Sequence, residues 1–423
     1  MKALSKVRRF AVDGLANREA IVGWVTVALV TWFGSYAYLY VFWLGGPKPL
    51  YSYGVLIAIA TLYAAVGSYP YLPVRLSRPG GSGVGALLTW LWIYLIFELV
   101  EFFRSAQDPA TLQALVTLGE SVLLAAAFAI LLAGRARVKL VAAALVALTV
   151  LAAAMNVFDF VAPTFSKIPG RGAGLYVNPN IAGHFLAMAM VGGTLVVPRR
   201  VRVLYLGLCG LGVLATFSRA GWILWGIGVL GLGWQGALTR TRRRYLLGVT
   251  FALLLGAGTA ALLFSGTAGS LVSGTRLQNY LTPNTAQRLG IGSSVLSGYA
   301  TGQRLRLIAD SLTAAAAAPW LGHGIGYTTE WSYSHGPHNM YLLFLVDGGI
   351  VGLGLYLMLM AVLWRISTGV GRIMALQFIV AGMFTHNQME QPVFLMLLAF
   401  ICAHHDAVGR SLSFAPPERT ALA

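Results

Sequence analysis

Apolar residues in this chain come in long, nearly unbroken runs separated by short polar breaks. Twelve runs approach or reach the roughly 17 to 25 residues that a helix needs to cross a ~30 Å hydrocarbon layer. They lie at residues 20–45, 51–68, 83–103, 112–133, 138–161, 181–197, 201–217, 220–237, 245–266, 339–364, 373–385 and 392–405. Backbone polar groups in lipid must be satisfied within the segment, so runs of this kind predict helices. The expectation is an all-α polytopic membrane protein with about twelve transmembrane helices.

Only one polar interval is long, at about 267–337. Within it the pattern predicts a short helix at 276–280, a turn at Pro283-Asn284 and an amphipathic helix at 303–318 ended by Pro319. A connection of this length among short loops is usually functional. The chain thus divides into residues 1–266 with nine spans, a loop domain at 267–337, and residues 338–423 with three more spans and a tail.

Charge fixes the orientation of this map. The net charge is +17, from 30 Lys and Arg against 13 Asp and Glu, which in a soluble protein would suggest a nucleic-acid partner. Here the basic residues fall on every second loop, as at Arg135, Arg137 and Lys139, at Arg199, Arg200 and Arg202, and at Arg240, Arg242, Arg243 and Arg244. With both termini cytoplasmic this obeys the positive-inside rule, and no nucleic acid is needed to explain the charge. The long loop then faces outward. Composition agrees, since 57% of residues are hydrophobic and only 10% charged, far below a soluble surface. Cys209 and Cys402, the two cysteines, lie inside apolar runs and indicate neither a disulfide framework nor a metal cluster. A cleavable signal peptide fits poorly, because the first apolar run is too long and lacks a small-residue cleavage site.

The outer face carries the unusual polar residues. Before the sixth run stands a Gly- and Pro-rich segment with Arg171, Asn178, Pro179 and Asn180; either Asn could cap the following helix, or could serve a substrate. Ser218-Arg219 forms a tight outer turn between the seventh and eighth runs. Arg219 could snorkel to lipid headgroups, but a turn with so little slack favours an inward pose, where a guanidinium needs an anionic partner. The densest cluster is 319–327, PWLGHGIGY, followed by His335, His338-Asn339 and Asp347-Gly348-Gly349. His338 sits at the mouth of the tenth span, where the helix dipole favours the neutral ring and so a base, although an interfacial His is also a common cap.

Glu98 and Glu101 share a helix face, and Glu120 and Asp159 also fall within spans; pairing with Arg104, Arg171 or Arg219 and a direct role are both open. No pair of carboxylates separated by one residue exists, so a metal site is not expected and arginine must meet any phosphate charge. No cofactor is expected. Nine residues along a helix is ~13.5 Å of rise and half a turn out of phase, so Asp347 should not orient His338.

In their order these motifs resemble the O-antigen ligase and polymerase superfamily of bacterial envelope glycosyltransferases. The resemblance spans residues 169–352: Asn178-Pro-Asn180, Ser218-Arg219-x-x-Trp222, the large loop with Arg304-Leu-x-Leu and Pro319-x-x-Gly-x-Gly-x-Gly326, then His338-Asn339-x-x-Leu342 and Asp347-Gly348-Gly349-x-x-Gly352. Ile308 stands where the family would have Trp, and Asp347 where Glu is frequent. One large loop and the inside N-terminus look most like the ligase branch. The resemblance implies transfer of an O-antigen glycan from undecaprenyl pyrophosphate to a terminal sugar of lipid A-core, at the periplasmic face of the bacterial inner membrane. It implies His338 as base and Arg219 and Arg304 on the pyrophosphate. Arg288, Arg306, Arg171, Asn339, Asn178, Asn180 and Tyr327 are further substrate contacts. Fixed guanidinium charge would make the reaction metal-independent, and a single displacement would invert the anomeric carbon. An O-antigen polymerase and a protein O-oligosaccharyltransferase use related chemistry. A lipid-linked oligosaccharide flippase is the alternative of another class, and should instead show polar groups along a midmembrane path.

Overall fold

A computed structural model describes residues 19–65, 81–238, 299–331 and 336–412, the side chains of 299–304, 330 and 409–412 excepted. The described residues form helices and connecting turns, with no strand among them. In chain order they are α1 (Glu19–Gly34), α2 (Ala37–Trp43), α3 (Pro49–Tyr63), α4 (Gly83–Arg104), α5 (Pro109–Leu132), α6 (Arg135–Val161) and α7 (Pro179–Gly193). There follow α8 (Arg202–Ala215), α9 (Arg219–Trp234), α10 (Tyr299–Ala317), α11 (Tyr327–Glu330), α12 (Met340–Ile366), α13 (Gly369–Ala381) and α14 (Pro392–Leu412).

Eleven of the twelve apolar runs coincide with these helices; the ninth lies outside the described residues, as do Arg288, His335 and most of the long loop. Four helices, α4, α5, α6 and α12, are long and apolar enough to cross a membrane, and α1 with α2 makes a fifth if counted together. That pair is bent by 59°. The break falls at Tyr36, whose φ of 59° lies in the left-handed region. Helices α3, α8 and α13 have 13 to 15 residues, short of the ~20 that span a ~30 Å layer unaided.

The helix starts follow local chemistry. Asp108, Asn178, Ser218 and Asn339 each accept the backbone N–H of a residue two or three ahead, satisfying a donor that the first turn leaves unpaired. Proline opens α3, α5 and α7, where no N–H is needed. At Asp108 the Thr111 hydroxyl and N–H hold the carboxyl below its ordinary range.

Helix α7 is the axis of the bundle, buried along nearly its whole length and packed against α6, α8, α9, α13 and α14. Gln377 ties three helices by donating to the Ala187 carbonyl at 2.9 Å and the Leu224 carbonyl at 2.7 Å. Two polar ends result. At one, Asp406 accepts from Ser82 and from the Gly83 N–H, each at 2.7 Å, and Arg137 pairs with Glu19 at 2.9 Å. The other gathers the turns after α2, α4, α6, α8 and α13, and carries the candidate residues.

Within α12 the helix breaks at Gly349 (φ 61°, ψ −158°). Segment 319–324 fills the notch: the His323 and Gly324 N–H groups donate to the Val346 and Asp347 carbonyls, at 3.0 and 2.9 Å. In return the Ile350 N–H donates to the Pro319 carbonyl at 2.8 Å. Backbone groups freed by a break at membrane depth must be satisfied by protein, and this segment does so. The approach leaves no room for side chains, since a Cβ on Gly322 would lie 2.3 Å from the Asp347 carbonyl oxygen. The two glycine motifs are therefore halves of one backbone joint.

Candidate active site

The first cluster forms around Asp159, at the end of α6. This fully buried carboxylate accepts the N–H groups of Thr164, Phe165, Ala173 and Gly174 at 2.7 to 3.0 Å. Among the described residues it pairs with no arginine, and it folds the 162–178 loop. Glu101 does pair with Arg104, at 2.5 Å.

That loop brings Arg171, 2% exposed, onto the turn between α8 and α9. Arg171 Nε donates to the Thr216 carbonyl at 2.8 Å, and a terminal nitrogen donates to Asn180 Oδ1 at 2.8 Å. Asn178 caps α7 through the Asn180 N–H at 2.9 Å. Of the two asparagines, Asn178 is the cap and Asn180 the guanidinium acceptor. Arg219, half-buried, is the first residue of α9, one position after the Ser218 cap. Arg171 and Arg219 thus share one turn, with Phe217 (φ 48°) and Val177 (φ 60°) held in the left-handed region beside the caps. Such strain persists only where surrounding structure enforces it.

His338 is the centre of the second cluster. It stands one residue before the Asn339 cap, whose Oδ1 accepts from the Tyr341 and Leu342 N–H groups at 2.9 and 3.2 Å. Its φ of 52° is again left-handed. His338 Nδ1 lies 3.1 Å from Nδ1 of His386, with the rings edge to face at 4.7 Å. One nitrogen must carry the proton and the other must accept it, so each ring fixes the tautomer of its neighbour. Asp347 is engaged elsewhere: its two oxygens take the Thr328 N–H and hydroxyl, at 3.1 and 3.0 Å. The expected independence of Asp347 from His338 holds for its described bonds.

The clusters lie at the same end. Tyr36 donates to Gln391 Oε1 at 2.7 Å and packs its ring edge-on against Tyr176 at 5.0 Å, joining the 385–391 turn to the Arg171 loop. A cavity of about 380 Å³ opens beside His386, between α4, α5, α11 and the start of α12. Glu98, Gln113, Thr117, Asp347 and Glu390 line it; none of Arg171, Arg219 and Arg306 is among its described walls. The structure therefore brings Arg171 to the turn that precedes Arg219, and His338 to His386, the member of that pair that lines the cavity.

The remaining candidates are more peripheral. Tyr327 stacks on His323 at 4.2 Å, and His323 bonds the Ala314 carbonyl at 2.8 Å, which fixes α10 against α11. Arg306 is exposed on α10; Arg304 lies on the same helix, its side chain outside the described residues. Sequence reasoning missed His386 and Glu390. The available signal was the polar segment 385–391, THNQMEQ, between two apolar runs.

An all-helical, multi-pass membrane protein with histidines, arginines and carboxylates gathered at one end is the class that fold and site define. Residues 204–357 match the family described as O-antigen ligase, so this part of the chain is similar to the membrane glycosyltransferase-like enzymes of that superfamily. That segment contains Arg219, Arg304, Tyr327, His338 and Asn339 but not Arg171 or His386. No protein of curated function matches the chain.

Proposed function

We propose that this protein is an O-antigen ligase, transferring a glycan from undecaprenyl pyrophosphate to a terminal sugar of lipid A-core in the periplasmic leaflet. The observation that carries this reading is the His338–His386 contact, because it couples the tautomer of a histidine inside the family-matched segment to a second imidazole. With His338 Nδ1–H donating to His386 Nδ1, His338 Nε2 keeps its lone pair and can accept a proton.

The acceptor hydroxyl gives its proton to that nitrogen as its oxygen attacks the anomeric carbon. The bond from carbon to phosphate oxygen breaks, and its electron pair leaves with the pyrophosphate. Arg219 and Arg304 stabilise that charge by directed guanidinium donors, with Arg288 and Arg306 as further contacts. Arg171, tied to Thr216 and Asn180, holds the turn that presents Arg219. A single displacement inverts the anomeric configuration.

The test is purified protein with a polyprenyl-pyrophosphate glycan and rough lipopolysaccharide in the presence of chelator. Glycan joined to lipid A-core, lost in His338→Ala and Arg219→Ala, is the expected result. Chain extension of the donor glycan without transfer to core would instead make it a polymerase. Full activity in His338→Ala would remove the proposed base.

A further inference from the structure

The cavity beside His386 differs chemically from a pyrophosphate site. Glu98, 7% exposed, and Glu390, exposed to it, add carboxylates to that of Asp347. No ion pair among the described residues involves any of the three. Asp347 is engaged by Thr328, so Glu98 and Glu390 supply the acceptors. Gln113, Thr117, Ser121 and Thr329 supply neutral donors and acceptors. One wall is aromatic: Tyr94 packs on Phe344 at 5.3 Å and stacks on Trp90 at 4.9 Å. Among the described residues, no three of His, Cys, Asp and Glu converge as ligands of one ion.

Carboxylate acceptors, hydroxyls, an amide and an aromatic face suit a polyol that has hydroxyl donors on its rim and C–H groups on its ring face. The described walls carry no Lys or Arg to meet a phosphate. A volume of about 380 Å³ lies in the range of small-ligand sites. We infer that this cavity is a binding site for an uncharged sugar ring, the terminal sugar of the acceptor, which it presents to the His338–His386 pair. The inference rests on the ligase reading for the word acceptor, but the binding itself does not. A phosphorylated ring would find no Lys or Arg among the described walls, so the site selects among core sugars as well as holding one.

The experiment uses the full-length protein in nanodiscs and delipidated core oligosaccharide from rough lipopolysaccharide, with and without its phosphates. Binding is followed by titration calorimetry. Wild type should bind the dephosphorylated oligosaccharide at least tenfold more tightly than the phosphorylated one. Gln113→Trp, at an exposed position on the rim, should weaken binding at least tenfold, and Thr117→Val and Glu390→Gln each about threefold to tenfold. In turnover assays the same variants should raise KM for the acceptor and leave KM for the polyprenyl donor unchanged. Equal binding of both oligosaccharides, or a Gln113→Trp protein that binds as wild type does, overturns the inference. Should the cavity bind sugar while no glycan is transferred, the ligase reading falls and the site stands. Transfer with an acceptor KM indifferent to Gln113→Trp has the opposite meaning.

Discussion

Replacing His386 by alanine tests the paired-imidazole geometry directly. When His338 accepts the proton, its bond to His386 changes from neutral to charge-assisted. A neutral hydrogen bond contributes about 0.5 to 1.5 kcal/mol net, and one to a charged group about 1.5 to 3. The transition state therefore gains roughly 1 to 1.5 kcal/mol over the ground state from this 3.1 Å contact. At ~1.36 kcal/mol per decade, kcat should fall about 5- to 13-fold, with KM for the donor unchanged. His338→Ala removes the base itself and should cost about 10² to 10⁴. His386→Asn keeps an acceptor near Nδ1 and should recover part of the loss, which a merely structural role for His386 would not predict. Glycan transfer under saturating donor and acceptor, for the three variants side by side, is the assay. A His386→Ala enzyme equal to wild type, one as inactive as His338→Ala, or no rescue by Asn would each refute the reasoning.

Gly322→Ala and Gly349→Ala both place a methyl group 2.3 to 2.4 Å from facing backbone, at φ values of 67° and 61°. Each should destabilise by about 2 to 6 kcal/mol from strain and overpacking, seen as a lowered thermal midpoint in nanodiscs. Asp159→Asn exchanges an oxygen that accepts two N–H groups for an NH₂ donor, which should cost about 2 to 4 kcal/mol and expose the 162–178 loop to limited proteolysis. Arg171→Lys cannot reach both Thr216 and Asn180 in the guanidinium geometry and should raise KM for the donor while acceptor KM holds. Asn339→Ala loses a cap that serves two N–H groups and should lower stability by about 1 kcal/mol, measured by thermal unfolding.

The sequence by itself determined that the chain is all-helical and enters lipid, because unbroken apolar runs leave no other way to satisfy the backbone. It also marked a cap at Asn178 or Asn180, of which the structure uses Asn178, but it did not mark the cap at Asn339. Spacing along α12 separated Asp347 from His338 before any coordinates were needed. The tertiary structure alone decided the partners. That His386, 48 positions away, meets His338 depends on α13 and α14 folding the 385–391 turn back across the mouth of α12. Asp159 was legible as a costly buried acid, but the backbone N–H groups that satisfy it belong to a loop whose path is fixed only on packing. Likewise, the glycines at 322 and 349 were visible as motifs, while their meeting as one backbone joint requires segment 319–324 to lie in the notch. Local patterning sets which segments are helices because hydrogen bonds within a helix are short-range. The site is made of contacts between segments far apart in the chain, and burial and close packing select those.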